Sequence, residues 1–226
     1  MLSSGKYTFG NELSNEEFLT QLFRQEAKAR VARATAERIK QARLPCKKEF
    51  KHFDCDFQKG ISEQQLDILE KLEWLDSMFN LILIGPPGTG KTHLALAIGN
   101  KAAEVGYNVF FTMMDNLVHI LKTQEISQKI ASRVRWISKC DLVIIDEMGY
   151  MPISKVEANL FFGLMSQLYQ NTSVIITSSK GFEGWADIFG DTILATALLD
   201  RLTHKCQVLS FIGESYRLAN RELIFD

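Results

Sequence analysis

The 226-residue chain is predicted to be an α/β protein with a parallel sheet and crossover helices, and three observations carry that expectation. From Asn80 onward, short apolar runs recur between stretches of helical length, the pattern of strands buried on both faces. The first run, Leu81 to Ile84, leads into Gly85-Pro86-Pro87-Gly88-Thr89-Gly90-Lys91-Thr92, which fits GxxxxGK[ST] between a strand and a helix. A later run, Leu142 to Ile145, ends in the paired acids Asp146-Glu147.

The first element starts at Ser14-Asn15-Glu16-Glu17, a capping box with Leu13 and Phe18 at the positions of a hydrophobic staple, so a helix is expected from Asn15 to Leu44, stopped by Pro45. After Glu26 its apolar positions shrink to Ala27, Ala29, Val31, Ala32, Ala34 and Ala36, which suits a partner better than the chain's own core; a solvated charged helix is the alternative. Residues 45–60 read as irregular, with Phe50, Phe53 and Phe57 set among charges. Such rings either stack exposed bases or pin a linker onto the adjoining domain. A second capping box, Ser62 to Gln65, opens a helix with Leu66, Leu69, Leu72 and Leu75 inward. Strands are expected at Leu81 to Ile84, Asn108 to Thr112, Leu142 to Ile145, Ser173 to Thr177 and Cys206 to Phe211. Helices fill Lys91 to Glu104, Asp115 to Thr123, Ser127 to Ser138, Lys155 to Tyr169 and Thr192 to Leu202. The expected organisation is a basic helical region over 1–51, a linker and helix over 52–79, and a nucleotide-binding domain over 80–226.

With 46% hydrophobic residues and 4 prolines, the composition excludes disordered and collagen-like classes. No run approaches the roughly 18 apolar residues of a membrane span, and the polar start shows no leader, so a cytoplasmic protein with no membrane partner is expected. Cys46, Cys55, Cys140 and Cys206 have no metal-like spacing and read as reduced thiols. The net charge of −1 hides a split: residues 1–51 carry +5 and the remainder −6. Ten basic residues lie between Arg24 and Lys51 against three glutamates, a candidate anion-facing surface.

The loop from Gly85 to Thr92, with the flanking His93, is the candidate nucleotide site. Its glycines allow a tight turn whose backbone N–H groups converge on phosphate oxygens, aided by the helix N-terminus. Lys91 would neutralise β and γ phosphates, and the Thr92 hydroxyl would hold Mg²⁺. Asp146, at the end of an apolar strand 55 residues beyond Lys91, would complete the Mg²⁺ shell, leaving Glu147 to polarise a water. An acid pair of this kind favours ATP hydrolysis over phosphorylation of a small acceptor.

The runs GPPGTGKTHLALAIG, DLVIIDEMGYMP, FGD at 189–191, LLDRLTH at 198–204 and GESYRL at 213–218, with the ARLP that ends the basic helix, resemble the IstB-like ATP-binding proteins. These are transposition helpers of insertion sequences, close to DnaC-type helicase loaders within the AAA+ ATPases. The resemblance implies a P-loop AAA+ fold with a five-stranded parallel sheet and flanking helices, preceded by the basic N-terminal helix. It implies a homo-oligomer in which Arg201 acts as an arginine finger on a neighbour's γ phosphate and Arg217 as the sensor-2 arginine. It also implies that 115–139 faces nucleic acid, through Lys122, Lys129, Arg133, Arg135 and Lys139, without reading sequence; a solvated face is the alternative. Where the family shows Thr-Ser-Asn, this chain has Thr177-Ser178-Ser179, so Ser179 stands at the sensor-1 position and the placement of the attacking water is in question. The implied function is ATP-dependent assembly on duplex DNA in support of a transposase. The alternatives are a helicase loader docking on a replicative helicase, a P-loop kinase, and a DNA-binding scaffold that does not hydrolyse ATP.

Overall fold

The computed structural model describes residues 15–58, 60–149 and 152–221. Five parallel strands, β1 (Asn80–Ile84), β2 (Val109–Met113), β3 (Leu142–Met148), β4 (Ser173–Ser178) and β5 (Cys206–Ser210), pair in the order β2-β3-β4-β1-β5. The helices are α1 (Asn15–Ala42), α2 (Glu63–Lys71), α3 (Glu73–Asp76), α4 (Lys91–Val105), α5 (Met114–Thr123), α6 (Gln128–Ile137), α7 (Lys155–Leu168), α8 (Trp185–Phe189), α9 (Thr192–Thr203) and α10 (Tyr216–Ala219).

β1 to β4 read as largely apolar runs because both faces are covered, whereas the edge strand β5 buries only Leu209. Leu81, Leu83, Leu142, Ile144 and Ile175 pack toward α4, α2 and the end of α1, while Ile82, Val143, Ile145, Val174 and Ile176 pack toward α5 to α9. Alternate side chains thus enter opposite layers, each buried branched side chain contributing about 1.5–3 kcal/mol relative to exposure. The crossovers place β4 between β1, which carries the glycine-rich loop, and β3, which carries the acids. All three strands run the same way, so their carboxyl ends meet at one edge, where open parallel sheets bind ligands.

Several features depart from, or refine, the sequence reading. The first helix ends at Ala42, two residues before the expected Leu44, because Arg43 turns to a φ of +56° and the residue before Pro45 is driven out of the helical region. Residues 15–34 are exposed throughout, and the helix gains purchase only near its end, where Ala42 is buried and Arg38 Nε donates to Ala103 O at 3.4 Å. The capping box at Ser14 lies outside the described residues. The helix opened by Ser62 has its capping box, but breaks at Leu72 (φ +63°) into α2 and α3, which keeps Leu69, Leu72 and Leu75 all buried.

The aromatic linker is pinned: Phe50 and Phe53 are buried, Phe53 meets Phe211 edge-on at 6.4 Å, and Phe57 meets Tyr216 at 5.2 Å. A helix absent from the sequence reading, α8, buries Trp185, Ile188 and Phe189. Five residues are too few to display a helical period. The FGD run has a local reason as well, since Phe189 is core, Gly190 ends α8 at a φ of +61° and Asp191 caps α9 by accepting from Leu194 N at 3.0 Å.

Candidate nucleotide-binding site

Between Ile84 and Lys91 the backbone turns through Gly85, Gly88 and Gly90, with φ of +150°, +84° and +96°. Space as well as torsion requires the glycines: a Cβ on Gly85 would strike the Phe211 carbonyl, and one on Gly88 the Ser215 hydroxyl. Pro86 and Pro87 stiffen the rim, and Thr89 Oγ1 ties the loop by donating to Pro86 O at 2.8 Å. The loop is enclosed from two sides, by Phe53 and Gln58 of the linker beside Gly90 and by Tyr216, whose N–H donates to Gly88 O at 3.0 Å.

Lys91 opens α4 and is 8% exposed, its Nζ donating to the carbonyls of Gly85 and Pro86 at 2.7 Å each. Burial pushes this ammonium below its ordinary pKa; Asp146 opposes the depression and the Arg217 guanidinium adds to it. Arg217, on the short α10, therefore stands within electrostatic reach of Lys91. His93, by contrast, turns to the linker. Its ring lies edge-on to Phe53 at 5.7 Å, and burial holds its pKa below the ordinary histidine value, with the Glu49 backbone partly offsetting.

Across the site, Thr92 Oγ1 donates to Asp146 Oδ1 at 2.9 Å, with Oδ2 at 3.2 Å. A hydroxyl and a carboxylate converging beside a phosphate-sized loop are hard oxygen donors, the chemistry Mg²⁺ requires. Asp146 is 2% exposed, whereas the next residue, Glu147, is exposed to solvent at a φ of +60°. The change arises from a bulge. Ile145 pairs with Ile176 but Met148 pairs with Ser178, so Asp146 and Glu147 together oppose Thr177 alone. Thr177 Oγ1 donates to Asp146 Oδ1 and accepts from Glu147 N at 3.0 Å. Ser179 is the first residue past β4 and is exposed; the hydroxyl that reaches the bulge belongs to Thr177.

Arg201 is not with this group. It lies near the end of α9 beside a cleft of about 230 Å³ lined by Asn80, Thr172, His204 and Lys205, residues at the amino ends of β1, β4 and β5. The loop follows the carboxyl end of β1, so the strand's 5 residues, about 16 Å, separate the two. The Arg201 guanidinium carbon sits 4.2 Å over the Phe162 ring, its Nη1 is buried without a hydrogen-bond partner, and among the described residues it forms no ion pair.

The basic residues of 115–139 are partly engaged by other elements. Lys122, itself exposed, pairs with Glu157 at 2.9 Å, lowering that carboxyl to about 2, and half-buried Arg133 stacks over Phe110 at 5.4 Å, while Lys129, Arg135 and Lys139 are exposed and form no ion pair among the described residues.

Residues 4–223 match the family model described as IstB-like ATP binding protein. The chain belongs to this family. It is 42% identical over 210 residues to an "Insertion sequence IS21 putative ATP-binding protein" of Pseudomonas aeruginosa, covering 93% of this chain and 79% of that one. It is 36% identical over 218 residues to the IS5376 counterpart of Geobacillus stearothermophilus, covering 96% and 87%. Among solved structures, DnaI matches with a TM-score of 0.61 at 19% identity over 73% of this chain and 91% of its own. AMPPCP-bound DnaA from Aquifex aeolicus matches at 0.61 and 21%, over 77% and 53%. These likenesses show the fold, that of the P-loop AAA+ proteins, with ATP binding as the family's property.

Two groups of site residues escape sequence inspection. Phe53, Gln58, Ser215 and Tyr216 enclose the loop from distant segments; the aromatic pattern of the linker and the GESYRL run hinted at these segments but not at their closure over the loop. Thr177 left a fainter signal, a polar residue closing the apolar run Val174-Ile175-Ile176.

Proposed function

We propose that this chain is a Mg²⁺-dependent ATPase that assembles with copies of itself on duplex DNA and assists a transposase in selecting target DNA. The observation that carries the enzymatic part is the Thr92–Asp146 hydrogen bond, which joins the glycine-rich loop to the acid strand across β4. Thr92 and Asp146 would hold Mg²⁺, which would supply charge neutralisation for the β and γ phosphates. Lys91 trades its two carbonyl bonds for phosphate oxygens, Arg217 approaches the same anion, and Glu147 takes a proton from the attacking water.

The assembly part is supported by Arg201. A half-buried guanidinium lining an open cleft on the edge of the sheet away from its own loop is poorly placed to act on its own nucleotide and can meet a phosphate held by another chain. The exposed basic residues of α1 and the remaining three on and beside α6 offer phosphate contacts that position DNA without reading it. The insertion-sequence names of the relatives favour a transposase over a replicative helicase as partner.

ATP hydrolysis by the full chain with and without duplex DNA, measured beside Glu147→Gln, tests this. The parent is expected to turn over ATP, and the Gln variant to bind ATP yet hydrolyse at least about 100-fold more slowly. Equal turnover in the two proteins would remove Glu147 from the role.

A further inference from the structure

We propose that Thr177 is a positioning residue for hydrolysis, holding both acids of the β3 bulge with a single hydroxyl. This role rests on the ATPase reading above.

A threonine hydroxyl has one proton to donate and lone pairs to accept. Here the proton goes to Asp146 Oδ1, and a lone pair accepts the N–H of Glu147 at 3.0 Å. Both partners need it. The register slip between Ile145 and Met148 leaves two β3 residues opposite one β4 residue, so the ladder cannot serve each of them. Glu147 also occupies the left-handed region at φ +60°, which a residue with a side chain adopts only when its surroundings hold it there. The Thr177 side chain is that restraint. It is itself stiff, because its β-branched χ1 is locked between the two bonds and the residue is 2% exposed.

The position in the sheet gives the restraint its reach. β4 lies between the strand that ends in the loop and the strand that ends in the acids, so Thr177 faces Asp146 and Glu147 across a single interstrand gap. Asp146 Oδ1 also accepts from Thr92, at 2.9 Å. One network therefore runs from loop hydroxyl to Asp146 to Thr177 to the Glu147 backbone. It orients the carboxylate that would hold Mg²⁺ and sets the direction in which the Glu147 side chain leaves the strand. Ser179, where family resemblance sets sensor 1, lies beyond the strand and outside this network.

Thr177→Val keeps the shape and the β-branch while deleting both bonds; Thr177→Ser keeps the hydroxyl and deletes only the methyl. In Thr177→Val, ATP turnover at saturating ATP is expected to fall about 10- to 100-fold with ATP affinity within about twofold, since the loss is of orientation rather than binding. In the nucleotide-free protein, the Glu147 amide should exchange with deuterium about 5- to 10-fold faster, while the Ile144 and Ile176 amides keep their protection. Thr177→Ser should restore both quantities to within about threefold of the parent. Parent-like turnover in Thr177→Val, or an unchanged Glu147 amide, would overturn the proposal. So would a Ser variant as impaired as the Val variant, the outcome of a purely packing role, which decides the matter even if valine loosens the strands. Failure of the parent itself to hydrolyse ATP on DNA would overturn the ATPase reading instead, and this role with it.

Discussion

Replacing Arg201 by alanine separates what the side chain does for its own fold from what it does for a neighbour. Within the chain, the loss is the stack on Phe162, worth about 0.5–2 kcal/mol. The gain is relief of a buried Nη1 that has no partner, worth about 1–3 kcal/mol. These nearly cancel, so Tm should shift by no more than about 4 °C. Its own loop lies about 16 Å away, twice the Debye length at physiological salt, so ATP affinity should be unchanged. Turnover should nevertheless fall about 10³- to 10⁵-fold, roughly 4–7 kcal/mol of transition-state stabilisation, because a guanidinium facing the γ phosphate acts on charge that develops only during cleavage. The assay is complementation. Arg201→Ala keeps Glu147 and the loop, whereas Glu147→Gln keeps the finger, so in an equimolar mixture about a quarter of the interfaces join an intact loop to an intact Arg201. ATPase activity near a quarter of the parent's, from two proteins inactive alone, is the expected result. A mixture that co-assembles yet stays inactive at every ratio would refute action in trans.

Ser179→Asn should raise turnover at saturating ATP with little change in affinity, since a carboxamide reaches farther toward the water beside Glu147; equal or lower single-turnover hydrolysis would count against that view. Removing residues 1–34, all of whose described members are exposed, should leave ATP binding intact and weaken DNA binding, with the slope of log K against log salt shallower by about 0.9 for each phosphate that α1 no longer neutralises. An unchanged slope would assign this part of α1 to a protein partner. With maleimide at pH 8, exposed Cys46 should react in the native protein while Cys140, buried with its thiol pushed up to about 12, should react only after unfolding. Native labelling of Cys140 would contradict its burial.

The inner strands were legible because β1, β3 and β4 are apolar on both sides, so Leu142 to Ile145 or Val174 to Ile176 stand out without any knowledge of their neighbours. The loop was legible because its chemistry is written in consecutive residues. What pairing and packing decide was not. Leu72 looks like one more inward leucine on a continuous helix until the chain needs a left-handed turn to bury Leu75 as well. Lys122 and Arg133 look like members of a basic stripe until Glu157 and Phe110 arrive from other elements to engage them. The role of Thr177 depends on a one-residue slip between two strands, and no local pattern encodes register at that resolution. Arg201 was identified from family resemblance, but that it faces away from its own loop could be learned only from the fold.

In the proposed function, nucleotide state governs assembly on DNA. Light scattering of Glu147→Gln with duplex DNA, in ATP, in ADP and without nucleotide, measures it directly. A DNA-bound mass of several subunits is expected in ATP, collapsing toward monomer in ADP or without nucleotide and weakened by Arg201→Ala introduced into the same chain. A mass that stays monomeric in ATP, or a multimer indifferent to nucleotide, would contradict it.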